Sequence, residues 1–162
     1  MKHVQECHSD TISKLYWVQN RSQNSFSLLH SVLGYTQTEW MIEKKSETSI
    51  KEFVINDKDK NFAFIRIKPK DSLSQSTEIQ IHCFESEEKF NTSTVLKNLL
   101  NQIKNYENVT RFYCFLFPHE QAEQTILNSI GFVQEATYDQ HIFSKGKYLD
   151  LLVFGTERLK SS

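Results

Sequence analysis

Residues that break or bend a chain are scarce here: 162 residues carry four glycines, Gly34, Gly131, Gly146 and Gly155, and two prolines, Pro69 and Pro118. Loops must therefore be built largely from Asn, Ser, Asp and Lys, and no Gly/Pro-rich linker, internal repeat or low-complexity tract divides the chain. Cysteine is thin as well. Cys7, Cys83 and Cys114 are odd in number and far apart in a chain with no export signal, which argues against a disulfide framework. Cys83 and Cys114 lie in apolar, strand-like runs, where a small buried side chain is the ordinary role. An excess of one charge is missing too: the net charge is −1 with both signs interspersed, so neither a nucleic-acid footprint nor a basic membrane-facing stripe is expected. No stretch is long and apolar enough to cross a bilayer, and the start, MKHVQECHSD, lacks the apolar run of a signal peptide; a cytoplasmic protein is expected. His3, Cys7 and His8 are close in sequence, but no second ligand pair stands at zinc spacing, so no metal site is expected.

What is present is enough apolar (38%) and aromatic (12%) material for the core of one domain spanning residues 1–162. His3 to Glu6 is a short candidate strand. Ser9 or Asp10 can cap a helix over Thr11 to Gln19, and Thr36-Gln37-Thr38-Glu39 has the spacing of a capping box for a second helix carrying Trp40 and Met41. Ser49 to Asn56 and Phe62 to Lys68 read as strands joined through the solvated turn Asp57-Lys58-Asp59-Lys60. Glu78 to Phe84 alternates, with Ile79, Ile81 and Cys83 on one face and Gln80, His82 and Phe84 on the other. Thr92 to Lys104 is a helix whose Val95, Leu96, Leu99, Leu100 and Ile103 form one stripe. Arg111 to Phe117 is a dense apolar strand.

From Leu116 to Gly155 the pattern is a strand end, a short helix, the pair Gly131-Phe132 and a two-stranded finish. Gly131 suits a helix C-terminus that needs a left-handed residue, and Phe132 re-enters the core. This ordered run resembles the C-terminal third of the GNAT acyltransferases. Leu15 to Asn20, LYWVQN, is similar, with one residue inserted, to the Trp-x-Asn helix end of the GNAT branch that acetylates ribosomal-protein N-termini and amino sugars. The resemblance covers most of the chain and is strongest from Glu78 onward. It implies a mixed α/β fold, a twisted, mostly antiparallel sheet of about seven strands with helices on both faces.

The resemblance also implies a chemistry: transfer of an acetyl group from acetyl-CoA to a primary amine of a small molecule, an amino sugar or a peptide N-terminus. It is compatible with a homodimer. The strand ending at Cys83 and Phe84 is the one the family uses to hold the cofactor. Asn91-Thr92-Ser93-Thr94-Val95-Leu96 falls on the family's pyrophosphate loop, with Thr94 and Leu96 where Gly, or Gly or Ala, is usual. β-Branched Thr restricts a backbone that must approach a phosphate closely; the hydroxyls of Thr92, Ser93 and Thr94 are the alternative donors, and an ordinary helix cap is the other reading. Glu120 stands where the family has an Asn that bonds near the pantetheine, and Leu127 where it has the Tyr near the departing thiolate. His119 and Tyr138 are the substitute acids, Glu85 and His82 the candidate bases. Trp17, Asn20 and Trp40 would lie on the acceptor side, Trp40 with a core role as the alternative. Two other readings fit the departures from the motif: a catalytically silent module that binds a ligand or partner, and an acyltransferase fed by a carrier protein, whose phosphopantetheine lacks the adenosine end.

Overall fold

The computed structural model describes residues 3–6, 50–57, 60–83, 89–144, 146–156 and 159. The expected helices over Thr11 to Gln19 and after Thr36, together with Cys7, Trp17, Asn20, Trp40, Phe84 and Glu85, lie outside the described residues. The elements described are β1 (His3–Glu6), β2 (Lys51–Asp57), β3 (Lys60–Ile67), β4 (Ser76–Cys83), α1 (Lys89–Glu107), β5 (Arg111–Leu116), α2 (Gln121–Ile130), β6 (Val133–Ser144) and β7 (Lys147–Thr156). They form one seven-stranded sheet in the order β1-β2-β3-β4-β5-β7-β6. Every neighbouring pair is antiparallel except β4 and β5. This matches the mixed α/β, mostly antiparallel sheet of about seven strands read from the sequence.

Strand alternation sorts the side chains onto two faces. Ile55 faces Ala63, Ile65 faces Ile81, and Ile67 faces Ile79, while Cys114 and Leu116 pair with Phe154 and Leu152. This face meets both described helices: Leu96, Leu99, Leu100 and Ile103 of α1 and Ile126, Leu127 and Ile130 of α2 join the same core. The opposite face of β2, β3 and β4 is also buried but carries polar groups. Glu52, Arg66 and Gln80 stand directly across from one another, and His82 lies one pair further along β4.

Helix α2 ends as its sequence dictates. Gly131 adopts φ 112° and ψ 3°; its N–H donates to Asn128 O at 3.3 Å, and the Phe132 N–H donates to Leu127 O at 3.0 Å. That is the closed C-terminus in which a left-handed residue satisfies the last carbonyls, and it drives the Phe132 ring, 1% exposed, into the core. The chain then enters the β6–β7 hairpin.

Candidate functional site: the opening between β4 and β5

Two strands that begin as partners separate. β4 and β5 pair through Ser76 with Arg111, Thr77 with Phe112 and Glu78 with Tyr113. Beyond these pairs β4 stays on β3 as far as Cys83, and β5 stays on β7 as far as Leu116. The β3–β4 ladder carries no register shift, so the opening comes from this exchange of partners, without a bulge. In an extended strand the backbone groups of alternate residues point to the same side. All of Ile79 to Cys83 lie across from β3; the Ile81 N–H lies against the Cys114 thiol of β5, and the Cys83 N–H points the same way. Between the strands is a slot edged by backbone donors.

The turn after β5 and the first turn of α2 close the far side. Glu120, at the N-terminal boundary of α2, accepts from the Phe117 N–H at 2.6 Å through Oε2, and Gln124 Nε2 donates to Phe117 O at 3.1 Å. Glu123 reaches across the opening, where its Oε1 accepts from the Cys83 N–H at 2.8 Å. The same oxygen is 3.9 Å from His82 Nδ1. Glu120, Glu123 and His82 are all buried.

Burial sets the protonation of this cluster. It pushes the Glu120 carboxyl up to about 7; the Phe117 N–H lowers it, and the neighbouring Glu123 charge raises it further. It pushes the His82 imidazole below its ordinary range, against the pull of Glu123. Cys114, fully buried, has its thiol raised well above the usual value by burial, with the Glu120, Glu78 and Glu123 charges adding to the rise. Cys114 is therefore a packing residue, as the apolar run around it suggests; Cys83 is half-buried.

The Glu120 shift has a consequence for stability. The native state holds this proton more tightly than the unfolded chain, so stability falls as pH rises between the ordinary 4.5 and about 7, and the cost stays constant above that range. The shift corresponds to about 3 kcal/mol. Glu120→Gln, which keeps an oxygen for the Phe117 N–H, is expected to be more stable than the unsubstituted protein at pH 8 by up to that amount. The gain should vanish at pH 4.5. Urea unfolding of both proteins at the two pH values checks this, and comparing them cancels the opposite, acid-side effect of His82.

The other residues singled out in the sequence fall in different places. Helix α1 begins at Lys89, earlier than the Thr92 start expected from the NTST cap. Ser93 to Leu96 have their amides inside the helix, so they are not a bare-backbone phosphate loop. Leu96 is a core residue, Val95 packs against that core, Thr92 and Ser93 are buried, and Thr94 is exposed. Leu127 is likewise core. His119 sits at the exposed tip of the turn, its ring stacked on Phe117 at 5.3 Å. Tyr138 stands on β6, the outermost strand, opposite Leu151 and against the His141 ring; two strand spacings, roughly 10 Å, separate it from β5. The opening thus gathers His82, Cys83, Glu120 and Glu123 and leaves Tyr138 apart.

Glu123 escaped the sequence reading. The signal was present: Glu123, Ile126, Leu127 and Ile130 share one helical face and are the buried residues of α2, so a carboxylate stands on an apolar stripe. Among the described residues no group of three His, Cys, Asp or Glu side chains could hold a metal ion, and no helix is long and apolar enough to cross a membrane.

No protein-family model and no curated protein sequence matches the chain. Solved structures do. A ribosomal-protein-S5-alanine acetyltransferase from Vibrio fischeri superposes with a TM-score of 0.74 at 15% identity, covering 97% of this chain and 93% of its own. The spermidine N-acetyltransferase of Vibrio cholerae, in complex with CoA and spermine, gives 0.75 at 16% identity, with coverages of 98% and 95%. A ribosomal L7/L12 alpha-N-protein acetyltransferase in complex with coenzyme A gives 0.76 at 15% identity, with coverages of 97% and 94%. The chain has the fold of the GNAT acetyltransferases.

Proposed function

We propose that this chain is an N-acyltransferase that moves an acetyl group from acetyl-CoA to a primary amine. The observation that carries the reading is the separation of β4 from β5 after Glu78 and Tyr113, which turns the Ile81 and Cys83 backbone toward an opening. A strand edge that has parted from its neighbouring strand is the complement of an extended molecule carrying its own amides, and the pantetheine arm of CoA has that form. The positive end of the α1 dipole supplies a place for phosphate. Spermidine and the alpha-N position of ribosomal L7/L12 are acceptors named for structures sharing the fold, and both offer a primary amine.

In this reading the amine nitrogen attacks the thioester carbonyl carbon, the new C–N bond forms and the C–S bond breaks. The β4 N–H groups polarise the carbonyl oxygen, and holding both reactants in line supplies much of the rate. A base takes the proton from the incoming ammonium. His82, buried beside the opening and held toward its neutral form, can accept it, and Glu85 is the other candidate. Leu127 cannot donate a proton to the departing sulfur, Tyr138 is distant and His119 points from an exposed turn. The second proton, shed by the nitrogen as the amide forms, therefore passes through water to the departing thiolate.

A second reading is a catalytically silent module that retains the ligand site. It is favoured by the Glu123 carboxylate on the Cys83 N–H and by Leu127 in place of an acid. Thermal unfolding with acetyl-CoA, followed by a thiol-release assay over polyamines, amino sugars and short peptides, separates the two. A ligand at a hundred times its Kd adds about 2.7 kcal/mol to a folded state that alone binds it, so a melting shift of several degrees is expected. A shift without thiol release supports the silent module; no shift at any concentration sinks the acyl-CoA reading.

A further inference from the structure

The slot between β4 and β5 already has an occupant. The Cys83 N–H, the outermost β4 donor that the structure describes on that side, gives its hydrogen bond to Glu123 Oε1 at 2.8 Å, from a residue 40 positions away. The Ile81 N–H is covered by the Cys114 thiol. A carboxylate oxygen on a backbone N–H has the geometry of a carbonyl acceptor. Glu123 thus stands where the carbonyl of an extended ligand pairing with β4 would have to stand. Its position is built into the fold: the side chain leaves the apolar stripe of α2, and that helix is fixed by Ile126, Leu127 and Ile130 in the core.

We infer that Glu123 is an internal gate of the acyl-donor slot, holding the Cys83 N–H until the arm of the acyl donor displaces it. This rests on the acyl-CoA reading above and adds the regulation of the same site. A hydrogen bond to a charged group is stronger than one between neutral groups, so displacing the carboxylate weakens donor binding in the unsubstituted protein. The gate acts on one end of the ligand: the arm that enters the slot competes with Glu123, whereas the adenosine and phosphate end does not.

Calorimetric titration of the unsubstituted chain, Glu123→Ala and Glu123→Gln with acetyl-CoA and with adenosine 3′,5′-bisphosphate tests this. Glu123→Ala is expected to bind acetyl-CoA about tenfold more tightly or better, the ratio given by the net worth of a hydrogen bond to a charged group. Glu123→Gln, which keeps a weaker neutral acceptor, should fall between and carries the test if the alanine variant does not fold. Binding of the bisphosphate should not change in either. Equal or weaker acetyl-CoA binding by both variants overturns the gate and leaves the acyl-CoA reading standing. The same holds for a gain shared equally by the bisphosphate. Absence of acetyl-CoA binding in all three proteins overturns the acyl-CoA reading and the gate with it.

Discussion

Arg66→Ala is expected to lower the free energy of unfolding by about 3–5 kcal/mol, the cost of leaving one member of a buried ion pair behind. Arg66 Nε donates to Glu52 Oε1 at 3.1 Å, and both side chains are 1% exposed. The two residues face each other across β2 and β3, with Gln80 next in the row. Their charges lie on the sheet face opposite the aliphatic core, so the loss is electrostatic as well as steric. A second variant separates the contributions. When both members of such a pair are replaced by apolar groups of similar volume, stability is commonly unchanged or raised, so Glu52→Leu with Arg66→Met should recover most of what Arg66→Ala loses. Urea unfolding of the three proteins reads the difference, and equal losses in the single and double variants would mean that the ion pair itself stabilises the fold, beyond anything that refilling its volume restores.

Phe132→Ala should cost as much by another route. Deleting a fully buried aromatic side chain typically removes about 3–5 kcal/mol through lost transfer energy and the cavity left behind. Phe132 is 1% exposed and stands at the junction where α2 hands the chain to β6. Thermal melting should register a clear fall, with Phe132→Leu losing much less because it refills most of the volume. If alanine and leucine behaved alike, the closure of the helix by Gly131 would be carrying the junction instead of the ring.

The Gly131-Phe132 junction was legible because the pair encodes two physical demands in adjacent letters, a positive φ and a core aromatic. The strands were legible for a similar reason. Ile79, Ile81 and Cys83 alternate with Gln80 and His82, and burial on one face imposes that period; Cys83 is the last described residue of β4. The start of α1 was misplaced because Thr92 offers a cap signature, and nothing local says that the helix reaches Lys89. Glu123 was missed because a carboxylate in a first helical turn is the ordinary complement of the helix dipole. Its partner, the Cys83 N–H, is 40 residues away. The opening itself has no sequence signature: it depends on which neighbour β4 keeps after Glu78, a property of the whole sheet.

That exchange of neighbours makes the sheet a book with a short spine. β1 to β4 are one leaf, β5, β7 and β6 the other, and the spine is the three pairs from Ser76 with Arg111 to Glu78 with Tyr113. From Glu78 to Cys83 the edge of the leaf that has left β5 is about 17 Å long. A rotation of about 5° at the spine therefore moves its far end by roughly 1.5 Å, on the scale at which misalignment of reacting atoms costs large factors in rate. The binding that holds the leaves at their angle is the core shared by α1 and α2. Side chains of that core, such as Leu100 and Ile130, thereby set its width.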